Sequence, residues 1–99
     1  MRFSTGLTRG AWLVIVLATI ACASPPQREM DQAQGAIDAA RAADAERYAA
    51  TEFKAATDAL KQANDAVAAR DYRLALNYAL TSREQAQNAA RTSADTQAK

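Results

Sequence analysis

Histidine is absent from the 99 residues, cysteine occurs once, proline twice and glycine three times. With no His and one Cys, the usual ligand sets of structural and catalytic zinc are missing, and so is the commonest general base near neutral pH. A lone cysteine closes no internal disulfide, so Cys22 must be explained by where it stands. Both prolines, Pro25 and Pro26, and two glycines, Gly6 and Gly10, fall within the first 26 residues. Beyond them only Gly35 remains to weaken a helix. Runs of basic residues are lacking as well. Lys and Arg number 12 against 11 Asp and Glu, and Arg2 and Arg9 stand at the very start, so the rest of the chain carries 10 basic and 11 acidic side chains, a formal charge of −1. That balance argues against nucleic acid as a partner, because phosphate binding needs a net basic face.

What is present begins with an asymmetry. Met1 to Gly10 holds Arg2 and Arg9 and no acid, and the uncharged run Ala11 to Ala21 follows, with Trp12, Leu13, Val14, Ile15, Val16 and Leu17 inside it. A basic stretch leading into a short apolar one is the order of a secretory signal. A membrane-spanning helix needs about 17–25 apolar residues, and this run is shorter. The reading is therefore a cleaved leader over residues 1–21.

The run closes Ala18-Thr19-Ile20-Ala21-Cys22, which resembles the lipobox of bacterial lipoproteins, with Thr19 standing where Leu is common. The resemblance implies cleavage between Ala21 and Cys22, diacylglycerol on the Cys22 thiol and an acyl chain, typically palmitate, on the new amino terminus. A thiol suits that chemistry because its thiolate is the nucleophile that forms the thioether. Ala23 follows, and by resemblance to enterobacterial lipoproteins a residue other than Asp there implies the outer membrane, with the body facing the periplasm. Apart from these acyl chains no cofactor and no small-molecule substrate is expected.

After a tether over residues 22–28 the composition turns to Ala with Gln, Glu, Lys, Arg and Asp, which favours helix throughout. Ser24 followed by Gln27, with prolines between, also fits a capped helix start close to the lipid. Met30, Ala33, Ile37 and Ala40 fall at spacings of three and four. Phe53, Ala56, Leu60, Ala63 and Val67 do the same, and Tyr72, Leu76, Ala79, Ala86 and Ala90 lie along one face of a third helix. Leu74 and Tyr78 sit well round from that face, so the third helix can touch two neighbours. Alanine at so many seam positions permits close approach and adds little burial. The expected fold is all-α: a short three-helix antiparallel bundle over residues 29–99, with helices at about 29–47, 51–69 and 71–95. Thr51 and Asp71 are candidate N-caps. An uninterrupted coiled-coil rod is the alternative, since neither turn holds Gly or Pro.

Ala36 to Arg41, Asp44-Ala45, Tyr48-Ala49-Ala50, Glu52-Phe53 and Arg70-Asp71-Tyr72 together resemble the small envelope proteins and lipoproteins grouped as domain of unknown function 4398. In that pattern, Gly stands at the place of Asp44, Pro at that of Ala50 and Gly at that of Arg70. These departures fall on turn residues and bear on how sharply the chain bends. The resemblance implies architecture and location and brings no activity. Leu60, Ala63, Val67, Asp71-Tyr72, Ala75 and Ala79 are also similar to one tetratricopeptide-type hairpin between the second and third helices, but a solenoid needs about three such units.

Three functional readings follow. The first is a lipid-anchored scaffold or interaction module that docks on an envelope protein or on its own copies, since domains under about 70–80 residues often need such help. The second is a structural tether: the chain ends in Lys99, as the major murein lipoproteins end in a lysine joined to peptidoglycan. The third, an enzyme, is disfavoured. Pairs such as Asp44 with Glu46 or Asp38 with Arg41 read as solvated surface charges. Tyr48, Tyr72 and Tyr78 could form a glycan-binding strip, but read more simply as half-buried core with hydroxyls in water.

Overall fold

The structure, a computed structural model, describes residues 24–99. The leader, the cleavage junction and Cys22 lie outside the described residues. Four helices follow in order: α1 (Gln27–Ala42), α2 (Ala45–Tyr48), α3 (Ala50–Ala68) and α4 (Tyr72–Ala98), with no strand among the described residues. The fold is all-α, and α1, α3 and α4 are the three long helices of the bundle.

Hydrogen bonds between helices fix the directions. Ser82 Oγ on α4 donates to the Ala56 carbonyl on α3 at 2.7 Å, Arg83 donates to the Gln32 side chain on α1 at 3.2 Å, and Ser93 donates to the Ala43 carbonyl at the end of α1. Position therefore rises together along α1 and α4, while α3 runs the opposite way. The arrangement is up, down, up. α4 packs extensively on both other helices, whereas α1 and α3 meet each other much less, so α4 is the middle member, as its two apolar flanks imply.

The seams of α1 and α3 are those the spacing predicts: Met30, Ala33, Ile37 and Ala40 are buried, as are Phe53, Ala56, Leu60 and Ala63, with Val67 packed partly against them. On α4 the buried line differs from the expected one. It runs Ala75, Ala79, Ser82, Ala86, Ala89 and Ser93, whereas Tyr72, Leu76 and Ala90 are half-buried. The cause is close approach. An axis that comes near enough for Ser82 to reach a neighbour's backbone has room for Ala and Ser and not for Tyr or Leu, which move to the flanks.

The boundaries differ in three places. The expected first helix over 29–47 is broken at Ala43-Asp44, where Asp44 takes a left-handed conformation with φ 63° and the chain resumes as the single-turn α2. Thr51 is not a cap, because α3 already begins at Ala50 behind Ala49, which has no side chain able to cap. The Ser24–Gln27 capping box does not form either: Pro26 holds the cap position without a side-chain bond, and the Gln27 amide donates to Asp31 at 3.0 Å. Asp71 does cap α4, accepting from the Leu74 N–H at 3.2 Å. The turn before it is a Schellman motif. Arg70, at φ 61°, donates to the Val67 carbonyl, and Asp71 donates to that of Ala66, both at 2.9 Å.

Candidate functional site

The expected site residues lie far apart along the chain. Cys22 and Ala21 fall outside the described residues. The chain enters through Ser24 and Pro25, both exposed, and turns into α1 at Gln27. Lys99 is exposed and follows the last residue of α4. Since α1 and α4 rise together with a register offset of about 50 residues, Gln27 stands level with residue 78 or so of α4, and Lys99 lies about 30 Å further on, at the opposite pole.

The charged pairs are surface pairs. Arg41 Nε meets Glu46 at 2.9 Å and Arg41 NH1 meets Asp38 at 3.4 Å, while Lys54 meets Asp58 at 2.8 Å, all with both side chains more than half exposed. Each is worth at most about 1 kcal/mol. The Asp38–Arg41 pair is thus as expected, while Glu46 turns to Arg41 rather than pairing with Asp44. Arg41 also stands 5.5 Å over the Phe53 ring, so one side chain links α1, α2 and α3.

The three tyrosines do not form a strip. Tyr48 is exposed on α2, beside the end of α1, with the Arg47 guanidinium 5.4 Å from its ring. Tyr72 and Tyr78 belong to the first two turns of α4, at the other pole, half-buried, and Tyr78 packs against the core.

The surface of the described residues carries open grooves, two of which lie between the long helices. One, of about 300 Å³, separates α1 from α3 and is lined by Gln34, Ile37, Arg41, Thr57, Leu60, Lys61 and Asn64. The other, of about 290 Å³, lies between the end of α3 and the start of α4, beside Ala66, Ala69, Leu74 and Tyr78. Among the described residues no cluster of three or more Cys, Asp or Glu side chains could hold a metal ion, and no helix is long and apolar enough to cross a membrane.

Sequence reasoning missed Ser82, Ser93 and Gln97. Ser93 and the Gln97 amide both donate to the Ala43 carbonyl, Gln97 at 2.7 Å. This pins the end of α1, one of whose orphan carbonyls would otherwise need another partner. The unbroken four-and-three spacing of Ala75 to Ser93 marks the seam, but not the carbonyls that the two serines meet across it.

With the geometry in hand, comparison with known proteins gives one result. Residues 28–99 match the family described as Domain of unknown function (DUF4398). The chain belongs to that family. No curated protein and no solved structure matches it. The DUF4398 region begins in the first turn of α1 and takes in all the helices that follow.

Proposed function

We propose that this DUF4398 chain is a non-catalytic lipoprotein of the bacterial envelope, held in the outer membrane by acyl chains on Cys22, whose helical body serves as an interaction or scaffold module facing the periplasm. The observation that carries this reading is the placement of the one cysteine. Cys22 ends a basic-then-apolar leader at Ala21 and stands five residues before Gln27, where α1 begins. Buried methylenes contribute about 0.8 kcal/mol each, and two or more chains give stable anchoring. The helical body has its own core and needs no membrane-spanning element.

The test is to label cells with an alkyne analogue of palmitate and measure the mass of the mature amino-terminal peptide. The expected peptide starts at Cys22 and carries diacylglycerol and an N-acyl chain, and Cys22→Ser loses the label and accumulates as uncleaved precursor. A Cys22→Ser product with unchanged mobility and membrane retention would overturn the reading.

A second reading is favoured by one observation. Lys99 is exposed at the pole opposite the start of α1, so a body anchored at Cys22 presents its terminal lysine away from the lipid. That is the placement a tether to peptidoglycan needs. Muropeptides on Lys99 after lysozyme digestion would establish it, and complete extraction by hot detergent with an unmodified Lys99 would remove it.

A further inference from the structure

The large apolar residues of α4 are all in its first three turns. Tyr72, Leu74, Leu76, Tyr78 and Leu80 are crowded there, whereas from Thr81 to Ala98 no apolar residue is larger than Ala. At 100° per residue they fall on two flanks of the buried Ala75–Ala79 seam. Leu74 and Tyr78 lie toward α3, beside Ala66 and Ala69. Leu76 and Leu80 lie on the other flank, the one on which Arg83 meets α1 through Gln32 further along. α1 begins only level with residue 78 or so and so stops short of Leu76, while Leu80, about two residues past that level, is turned further round than Arg83 and away from α1. Leu76 is left half-buried and Leu80 45% exposed, with the exposed Arg73 on the same side.

We propose that this uncovered pole of α4 is a bilayer-docking surface, with Leu76 and Leu80 seated in the headgroup layer and Arg73 on lipid phosphate. The inference rests on the lipid-anchor reading, and the reach of the chain argues it. From Cys22 to Gln27 the polypeptide spans at most about 18 Å, so an acylated Cys22 holds the start of α1 within that distance of the membrane. The first turns of α4 stand level with that start or beyond it on the same side. The exposed leucines are therefore presented to the lipid surface at high effective concentration. A helix face that pairs exposed leucine with arginine is a composition that settles at a membrane interface. Docking would hold the bundle with its Lys99 pole outward.

The experiment uses the full chain carrying Leu80→Cys or Thr96→Cys, both at exposed positions, purified from membranes. Each is labelled with an environment-sensitive fluorophore and reconstituted into vesicles of phosphatidylethanolamine and phosphatidylglycerol containing doxyl-labelled lipid. The expected result is quenching by doxyl lipid and protection from iodide at position 80, with the reverse at position 96. If the protein floats with the vesicles while the probe at 80 is as open to iodide as that at 96, docking is overturned and the anchor stands. Protection without doxyl quenching that fades as protein is diluted in the vesicles means that a second copy covers the face, which also overturns the proposal. Should the protein fail to float and Cys22 itself take up the label, the anchor reading falls and docking with it.

Discussion

Ser82 Oγ donates to the carbonyl of Ala56 at 2.7 Å, with Ser82 fully buried between α4 and α3. A side chain one carbon long reaches a neighbouring backbone only when the helix axes lie close together, and the alanines around it make that approach possible. The bond replaces the water the hydroxyl would otherwise need, and no buried side-chain polar atom among the described residues is left without a partner.

Two substitutions at this position should separate the hydrogen bond from the spacing. Ser82→Ala loses the bond and fits the space, and is expected to destabilise by about 1 kcal/mol. Ser82→Leu must push α4 away from α3, at a cost of about 1–3 kcal/mol or more. Thermal unfolding followed by circular dichroism should rank them wild type, Ala, Leu. A Leu variant as stable as wild type would contradict close approach.

The two left-handed residues predict gains rather than losses. Arg70 closes the Schellman turn at φ 61° and Asp44 ends α1 at φ 63°, and both stand where the family resemblance carries Gly. A side chain in this region costs about 1–2 kcal/mol, less for Asp. Arg70→Gly should therefore stabilise by about 0.5–1 kcal/mol and Asp44→Gly by less, even though glycine adds freedom to the unfolded chain. A fall in melting temperature for Arg70→Gly would show that the turn is held in some other way.

These turns also show what could be read from the sequence. The seams of α1 and α3 were legible, because Met30, Ile37, Phe53 and Leu60 mark a three-and-four spacing that only a helix satisfies. The Asp71 cap was legible from its place before Tyr72. The break at Asp44 was legible only through the family resemblance, which puts a turn residue there, since Ala and Arg on either side would continue the helix and the bend comes from tertiary contacts, with Ser93 and Gln97 holding the Ala43 carbonyl. Ser82 and Ser93 were hidden for a related reason: a polar residue on a seam reads as a gap until a partner carbonyl is seen opposite it. Ala50, where the family resemblance carries Pro, is the first residue of α3, a position where proline suits a helix start.

Gly35 gives a test of local propensity free of packing. It lies exposed in the middle of α1, and a Cβ placed on it meets nothing within 4 Å. Gly35→Ala should then stabilise by about 1 kcal/mol through the helix and the unfolded state alone. For a domain of this size, that raises the melting temperature by about 4–8 °C. No change would indicate that α1 is already frayed at this point in the native state.

Ile37 carries the opposite expectation. Among the buried apolar residues of the described part, only Met30, Ile37, Phe53 and Leu60 are larger than alanine, and Ile37, 2% exposed, is the most enclosed of the four. It sits on α1 at the floor of the groove facing α3, where α1 and α3 depend on a few large side chains to stay together. Alanine neighbours have no rotamers with which to fill a void, so a cavity made here collapses poorly. Ile37→Val should cost about 0.5–1.5 kcal/mol and Ile37→Ala about 2–5 kcal/mol, a large part of the total stability of so small a domain. Leu80→Ala, on the exposed flank of α4, should by contrast lie within about 0.5 kcal/mol of wild type. Chemical denaturation of the three variants tests the order. Equal losses at Ile37 and Leu80 would mean that the core is not where the seams of α1, α3 and α4 converge.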